Sequence, residues 1–178
     1  IRDSTSLDST INVIATMPTK LDFYISGELA RIDQSTKIGT QTTIIDTLLK
    51  RNILLINLMD KKFGIILDGN DTSDVENIIY SEESEDFLGI ECKKAIINSI
   101  NKKTKKSTTS TIYYTNKIDN SYNINFKKLK GFPIYYEIIS NNIISTYLAV
   151  EMTKKNIDPK IFEIDNKTST VSYTHLTL

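Results

Sequence analysis

One stretch of the chain, residues 129–152, alternates apolar and more polar positions and predicts two β-strands joined by a tight turn. In its first half, Ile134 and Tyr136 alternate with their neighbours, and the alternation resumes after Asn141-Asn142. A period of two is typical of strands whose two faces meet different surroundings. An Asn-Asn pair tolerates the positive φ angles of a two-residue hairpin turn. We expect this hairpin to form the spine of an antiparallel sheet.

The same alternation recurs upstream at the spacing of an antiparallel sheet. It starts at Thr19, turns at Gly27-Glu28 and returns with Arg31 on a second strand. Strands of this kind, separated by short polar turns at roughly 8–12 residue spacing, are typical of antiparallel sheets and barrels. The further predicted strands cover residues 40–46, 53–59, 63–67, 88–97 and 108–115.

Residues 68–86 interrupt this pattern with the polar runs DGNDTSD and SEESED. So polar a segment buries little, and we expect an exposed loop. Within it, residues 75–80 form either one helical turn or a short edge strand. Near the other end of the chain, residues 158–164 predict a terminal docking segment.

The pattern divides the chain into three parts. Residues 1–18 are polar with one short helical segment, residues 19–164 form a β domain, and residues 165–178 are a tail. The chain begins Ile-Arg-Asp without an initiator methionine or secretory signal, so either these were removed or the chain is a fragment. The last eight residues, VSYTHLTL at 171–178, resemble a translated sequencing-adapter read-through, and we expect them to be non-native, His175 included.

Length and charge narrow the function classes. The chain has 178 residues, which favours one domain with a core that needs no disulfide or metal. Lys and Arg balance Asp and Glu at 22 each, which argues against nucleic acid as the main partner. The single cysteine excludes an internal disulfide framework, and no run of about 18 apolar residues predicts a transmembrane helix.

Several segments, taken in order, resemble an uncharacterised family of exported bacterial proteins. They are MPTKLDFYISGELARID, TTIID, ILLINLMDKKFGIIL, LGIECKKAII, TIYYT, LKGFPIYYEI and DPKIFEI. Members of the family carry a GYxCKKA segment and a KGFPLxYE hairpin, and their fold resembles LolA-type lipoprotein carriers. The resemblance implies a single strongly curved antiparallel sheet, an incomplete β-barrel with one or two short helices, and a periplasmic or otherwise exported location. It implies carriage of lipid less directly, because fold does not imply function.

Four features could carry chemistry, and each has a structural alternative. Cys92 fits a half-buried core position better than a catalytic thiol, since the only histidine lies in the suspect tail. The DGNDTSD run lacks the glycine and glutamate of an EF-hand calcium loop at Ser73 and Ile79. Gly131-Phe132-Pro133 opens a strand and indicates a bend, although Phe132 could instead line a binding edge.

The fourth feature is a basic cluster at a predicted hairpin tip, which fits a soluble turn better than a contact with anionic lipid. Its members are Lys102, Lys103, Lys105 and Lys106. Five tyrosines should also meet on neighbouring strands, where cross-strand packing explains them: Tyr113, Tyr114, Tyr135, Tyr136 and Tyr147.

No Ser-His-Asp set, HExxH, CxxC, P-loop or GxGxxG sequence occurs, so an enzyme is disfavoured and no cofactor, metal site or catalytic residue is predicted. The leading hypothesis is an exported envelope protein that binds a lipid or acyl chain on a concave apolar sheet face. The residues predicted to line that face are Phe23, Ile25, Ile56, Leu58, Tyr136, Ile138, Leu148 and Val150.

The alternative is a structural or protein-interaction module of the cell envelope whose core is filled by its own side chains. A closed core would favour the interaction module, whereas a continuous apolar groove of roughly 300 Å³ or more would favour lipid carriage.

Overall fold

The computed structural model of the chain describes residues 17–37, 39–58, 61–68, 74–101, 104–140, 143–164 and 169–172. Its regular structure is almost entirely β, and two short 3-10 helices cover Asn120–Tyr122 and Pro159–Phe162. The mainly-β antiparallel class predicted from the sequence is therefore confirmed. The helical segment predicted within residues 1–18 lies almost wholly outside the described residues.

The strands follow one another in short antiparallel connections along most of the chain. They are β1 (Lys20–Ser26), β2 (Leu29–Thr36), β3 (Gly39–Asp46), β4 (Arg51–Leu58), β5 (Lys61–Asp68), β6 (Asp74–Phe87), β7 (Ile90–Asn101), β8 (Ser107–Thr115), β9 (Phe132–Ser140), β10 (Ile143–Leu148) and β11 (Ser169–Ser172).

The chain forms two compact units, and the range 19–164 that the sequence treats as one domain is divided between them. The first unit comprises residues 1–69 and 156–178, and the second comprises residues 70–155. The first holds a six-stranded sheet in the order β1-β2-β3-β4-β5-β11, and the second holds a five-stranded sheet in the order β10-β9-β8-β7-β6. The strands thus form two sheets where the sequence predicts one, because β5 and β6 pair with different neighbours.

In the first unit, the predicted hairpin with its turn at Gly27-Glu28 is confirmed, and β2 pairs on its other edge with β3. Arg31 lies on β2 as predicted and donates from Nη1 to the carbonyl oxygen of Ile161 at 2.5 Å. The 3-10 helix Pro159–Phe162 lies against β2, and the Phe162 side chain is buried. The predicted docking segment near the end of the chain is therefore confirmed.

In the second unit, the predicted hairpin is confirmed as β9 and β10, with Tyr136 opposite Tyr147. Its second strand, β10, forms one edge of the sheet, and the central strand is β8, so the expectation that the hairpin forms the spine is wrong. The second strand also ends at Leu148, four residues earlier than the alternation predicts.

The acidic stretch predicted as an exposed loop is largely strand. Residues 74–87 form β6, a strand of 14 residues at the edge opposite β10, with an irregularity between Tyr80 and Ser84. An edge strand needs only one partner for its backbone and tolerates charged side chains. An acidic edge strand of this kind lacks apolar alternation, so that pattern does not predict it.

One face of the five-stranded sheet is covered by the connection between β8 and β9, residues 116–131. Phe126 and Leu129 of this connection are buried against the sheet, together with Ala95, Ile97 and Ile112. This irregular connection thus covers the sheet face, as a helix does in many other proteins.

Asparagine side chains fix the shape of this connection. Buried Asn123 accepts from the backbone nitrogens of Asn125 (3.0 Å) and Phe126 (3.2 Å) through Oδ1, and its Nδ2 donates back to the Phe126 carbonyl oxygen (3.2 Å). Asn120 Nδ2 donates to the same carbonyl oxygen at 3.1 Å. These bonds satisfy backbone groups that have no strand partner and hold the Phe126 ring against the sheet.

Gly131 lets the connection return to the sheet at close range. A Cβ atom at this position would lie 2.4 Å from the Thr115 carbonyl oxygen and 2.7 Å from Tyr114 Cδ2. Only glycine fits such an approach of two backbones. The bend predicted at Gly131-Phe132-Pro133 therefore has a packing cause.

We predict that Asn123→Ala lowers the free energy of unfolding by about 1–3 kcal/mol, because it leaves buried backbone groups without partners. Chemical denaturation followed by circular dichroism measures the change. Asn77→Ala, at an exposed position of β6, is the matched control and should change little. Equal losses in the two variants would contradict the role assigned to Asn123.

Gly131→Ala should lower the free energy of unfolding by about 1–3 kcal/mol, since the added methyl group must displace the end of β8. The same denaturation experiment applies. Gly89→Asn serves as control, because nothing lies within 4 Å of a Cβ there and asparagine tolerates its φ of 73°. A Gly131→Ala protein as stable as the control variant would refute the close-approach explanation.

Candidate interaction surface

The five-stranded sheet has a covered face and an open face. The covered face is the one that packs against residues 116–131. We define the open face by the side chains that point to the opposite side of the sheet from the covered face, according to the strand register: Asn77, Ile79, Lys94, Ile96, Asn98, Ile100, Thr109, Thr111, Tyr113, Tyr135, Glu137, Ile139, Ile144, Thr146 and Leu148.

Aliphatic side chains on the open face are unusually exposed. Ile79 is 52% exposed, Ile144 64% and Leu148 50%, whereas Ile97 and Ile112 on the covered face are 1% and 0% exposed. Exposed apolar side chains that recur on one sheet face form a patch, and such patches mark interaction sites more often than scattered ones do.

Polar side chains without charge separate these aliphatic groups. Thr111 lies beside Ile96 and opposite Glu137, and Thr109 donates through Oγ1 to Asn98 Oδ1 at 3.0 Å. The open face is therefore a mixed surface of aliphatic and hydroxyl groups.

An aromatic cluster lies on the same side of the sheet, toward the start of β7. The rings of Phe87 and Tyr135 stack with centroids 5.5 Å apart, and Tyr113 meets both rings, 5.3 Å from Phe87 and 5.7 Å from Tyr135. Ring pairs at these separations stabilise the sheet beyond the area that they bury. They also give this end of the surface a fixed geometry.

Carboxylates surround the aromatic cluster. The Tyr135 hydroxyl donates to Glu137 Oε1 at 2.5 Å, and this hydrogen bond, more than partial burial, raises the pKa of Tyr135 to about 12. Burial, first of all, raises the pKa of Tyr113, and nearby Glu85 acts in the same direction. Both phenols therefore stay protonated as donors at neutral pH.

The ammonium group of Lys94, beside the aromatic cluster, has a carboxylate partner. Lys94 Nζ lies 2.7 Å from Glu83 Oε2, and their hydrogen bond raises the pKa of Lys94 and lowers that of Glu83. The Glu83 side chain is 65% exposed, so water screens the pair and it contributes little to stability. Beside it, Glu85 and Glu137 give the cluster an excess of negative charge.

Half of the eight predicted ligand-lining residues lie in the six-stranded sheet. The register places Phe23, Ile25 and Ile56 on one face of it, with Phe23 42% exposed and the other two half-buried. Leu58 ends β4, and its side chain lies outside the described part of the chain.

The other four lie in the second unit and do not share a face. Tyr136 and Ile138 pack against the core beneath the connection. Leu148 is opposite Tyr135 on the open face, and Val150 follows the end of β10 and is 82% exposed. The eight residues therefore belong to two sheets, and the structure does not bring them together on one face.

The five predicted tyrosines do lie on the neighbouring strands β8, β9 and β10, but they divide between the faces. Tyr136 stacks on Tyr147 at 4.7 Å within the covered face, whereas Tyr113 and Tyr135 belong to the aromatic cluster. Phe87 was missed because the polar residues before it indicate a loop. Glu85 and Asp86 are both charged, so no apolar alternation before Phe87 indicates its position.

A cavity of about 340 Å³ lies where β7 begins and β8 ends, and five of its six lining residues are polar or charged. Its lining residues are Glu91, Lys93, Tyr114, Thr115, Asn116 and Lys117. None of the residues predicted to hold a hydrophobic ligand lines it. It therefore lacks the apolar lining expected of a site for an acyl chain.

Cys92 is fully buried beside Phe132 and Ile134, and burial, followed by the charge of Asp86, raises its pKa. A thiol whose pKa is raised is a weak nucleophile, so the core interpretation of Cys92 is favoured.

Residues 69–73 of the DGNDTSD run, predicted to be a solvated loop and not a calcium site, lie outside the described residues, as do the lysines at 102 and 103 and His175. Lys105 and Lys106 are exposed at the tip after β7. Within the described part of the chain, no group of three His, Cys, Asp or Glu side chains could hold a metal ion.

No protein-family model, no curated protein and no solved structure matches the chain. The resemblance to exported LolA-like proteins therefore stays a prediction. Among the described residues, no helix is both long and apolar enough to cross a bilayer. The open face is consequently interpreted from its own residues.

We predict that Glu137→Gln lowers the pKa of Tyr135 from about 12 toward the ordinary value of 10.0, because it removes the charged acceptor. A raised pKa in the folded state stabilises the protein fully below the pKa of the unfolded chain, and this stabilisation is lost as pH rises from about 10 to about 12. Stability should therefore fall less steeply over that range in the variant than in the wild type.

The measurement is a tyrosine ¹³Cζ NMR titration, with the free energy of unfolding determined over the same pH range. Glu151→Gln, an exposed carboxylate beyond β10, is the control. A Tyr135 pKa that Glu137→Gln leaves unchanged would contradict the assigned hydrogen bond.

Proposed function

We propose that this protein is a non-enzymatic interaction module that binds an apolar surface of another protein on the open face of its five-stranded sheet. The observation that carries the proposal is the exposure of Ile79, Ile139 and Ile144 on one face, 52%, 44% and 64% respectively. Burying such side chains contributes roughly 25 cal/mol per Å² of apolar surface removed from water.

A protein partner fits this unit better than an acyl chain does. The covered face is filled by Phe126 and Leu129, and the cavity of about 340 Å³ is lined mainly by polar and charged residues. An acyl chain needs an enclosed apolar site, whereas a broad surface of isoleucine, threonine and tyrosine resembles the mixed composition of protein interfaces. These features support the self-filled interaction module over the lipid carrier.

The charge around the aromatic cluster indicates which charged side chains the partner would carry. Glu83 already has Lys94 within 2.7 Å, and Glu137 accepts from the Tyr135 hydroxyl. Glu85 and Glu137 add two carboxylate groups here, so a partner with an arginine or lysine beside its apolar patch would complement this end of the face. Tyrosine rings flanking such a contact are frequent in the energetically dominant part of interfaces.

Location in the bacterial envelope and the absence of catalysis stay predictions. The buried, proton-retaining thiol of Cys92 supports the non-enzymatic part of the proposal. The envelope part depends on the resemblance alone.

Photo-cross-linking from the open face tests the proposal. A photoreactive phenylalanine analogue at Ile139 in the purified protein, mixed with bacterial envelope extract, should give discrete protein adducts. The same analogue at Leu49, an exposed residue of the other unit, should not give them. Excess unlabelled wild-type protein should suppress the adducts, whereas the Ile79→Asn/Ile100→Asn variant should compete at least tenfold less well.

The matched competitor is Leu48→Asn/Leu49→Asn, which changes two aliphatic residues of the other unit that are even more exposed and should compete like the wild type. Native mass spectrometry with lipid extraction tests the alternative function, which is binding of a lipid or acyl chain. A stoichiometric lipid that is lost in Ile79→Asn/Ile100→Asn would assign the face to an acyl chain. Adducts insensitive to both competitors would exclude the open face as the binding site.

A further inference from the structure

The two edges of the five-stranded sheet differ in how they are protected. On β6 the strand carries exposed acidic side chains such as Glu82 and Glu85, and its pairing with β7 is irregular between Tyr80 and Ser84. Charges and irregularities of this kind prevent edge-to-edge pairing with another chain. The β10 edge, Ile143–Leu148 with the sequence IISTYL, has neither a charge nor a proline, and its register with β9 is uninterrupted.

The backbone direction along β10 follows from one hydrogen bond. Directly after the strand, the Ala149 nitrogen donates to the Ile134 carbonyl oxygen at 2.9 Å, in register with the pairs of β10 and β9. In an antiparallel pair, alternate residues direct both backbone groups to the partner strand. Ile144, Thr146 and Leu148 therefore direct their N–H and C=O groups away from β9, toward the outer edge.

These three residues are symmetric about Thr146. If a second β10 approaches antiparallel around a two-fold axis at Thr146, Thr146 lies opposite its own copy and Ile144 lies opposite Leu148 of the other copy. All three positions then form hydrogen-bonded pairs of the antiparallel type. A shift by one residue would instead place the open face of one copy beside the covered face of the other.

We infer that the protein forms a homodimer in which two β10 edges pair antiparallel about Thr146 and join the two five-stranded sheets. The occupant of the edge is a second copy because the strand is complementary to itself. It is uncharged, so no like charges meet, and the exposed Ile144 and Leu148 side chains, 64% and 50%, become cross-strand neighbours. The two open faces become one continuous surface, and self-association through closed two-fold symmetry is the commonest form of oligomer.

The inference does not depend on the proposed function, because it rests on the backbone of the β10 edge, although Ile144 and Leu148 also belong to the open face. Light scattering coupled to size-exclusion chromatography should give twice the chain mass of 20.2 kDa. Thr146→Pro should give a monomer with an unchanged circular dichroism spectrum, since proline removes an N–H that points away from β9. Asn77→Lys, which adds a charge on the opposite edge strand, should remain dimeric.

A second variant tests the register directly. Thr146→Cys should form an intermolecular disulfide under mild oxidation, because hydrogen-bonded antiparallel pairs place Cα atoms about 5.5 Å apart, within disulfide reach. The native Cys92 is fully buried and should not interfere. Asn77→Cys, at an exposed position of β6, is the matched control and should remain reduced.

The outcomes separate the inference from the proposed function. A monomer at high micromolar concentration, or a dimer that survives Thr146→Pro and gives no disulfide with Thr146→Cys, would overturn the paired edge. Ile79→Asn/Ile100→Asn should leave the dimer intact while it weakens the cross-linking competition. Loss of the dimer in that variant, with Thr146→Pro still dimeric, would place the self-contact on the open face instead.

Discussion

The burial of a sheet face by irregular chain is the constraint on which the second unit depends. A β-sheet with apolar side chains must remove at least one face from water, and short helices cannot supply that cover here. Phe126 and Leu129 supply it, and Asn123 fixes the connection that carries them. Gly131 then lets the chain return to β9 at a distance that no side chain would permit.

That cover leaves most of the opposite face in solvent, although Ile118 and Tyr122 of the same connection also pack against Cys92, Phe132 and Ile134 near the start of β7. The remaining difference in exposure between the two faces determines which side chains a partner could contact. Ala95 and Ile112 on one side are fully buried, while isoleucines on adjoining positions of the other side remain in solvent. Such an asymmetry is common in antiparallel sheets, but the solvent side is then usually polar. Here it carries aliphatic groups and a ring cluster around Tyr135, so the exposed side has the composition of a binding surface.

Local alternation predicted most strands, because strand formation is visible in neighbouring residues. Of β6 it offered only residues 75–80, as a short edge strand or a helical turn, and the structure confirms the edge strand there. It did not reveal the acidic second half of β6, or the division into two sheets, which depends on pairing between distant segments. Face assignment failed for a related reason. Tyr136 and Leu148 were expected to line one surface, but the register pairs Leu148 with Tyr135 and so places Tyr136 on the opposite side. One residue of register decides which side chains meet solvent.

The order of the two units along the chain has a consequence for synthesis on the ribosome. Residues 70–155 are inserted between two parts of the first unit, so β2 is made long before the 3-10 helix Pro159–Phe162 that lies against it. At the roughly 5–20 residues per second of protein synthesis, this interval lasts several seconds. The inserted unit can complete its sheet during that time, whereas the first unit waits for Phe162. A nascent chain that ends before residue 156 therefore holds every residue of the second unit but lacks the buried Phe162 side chain of the first.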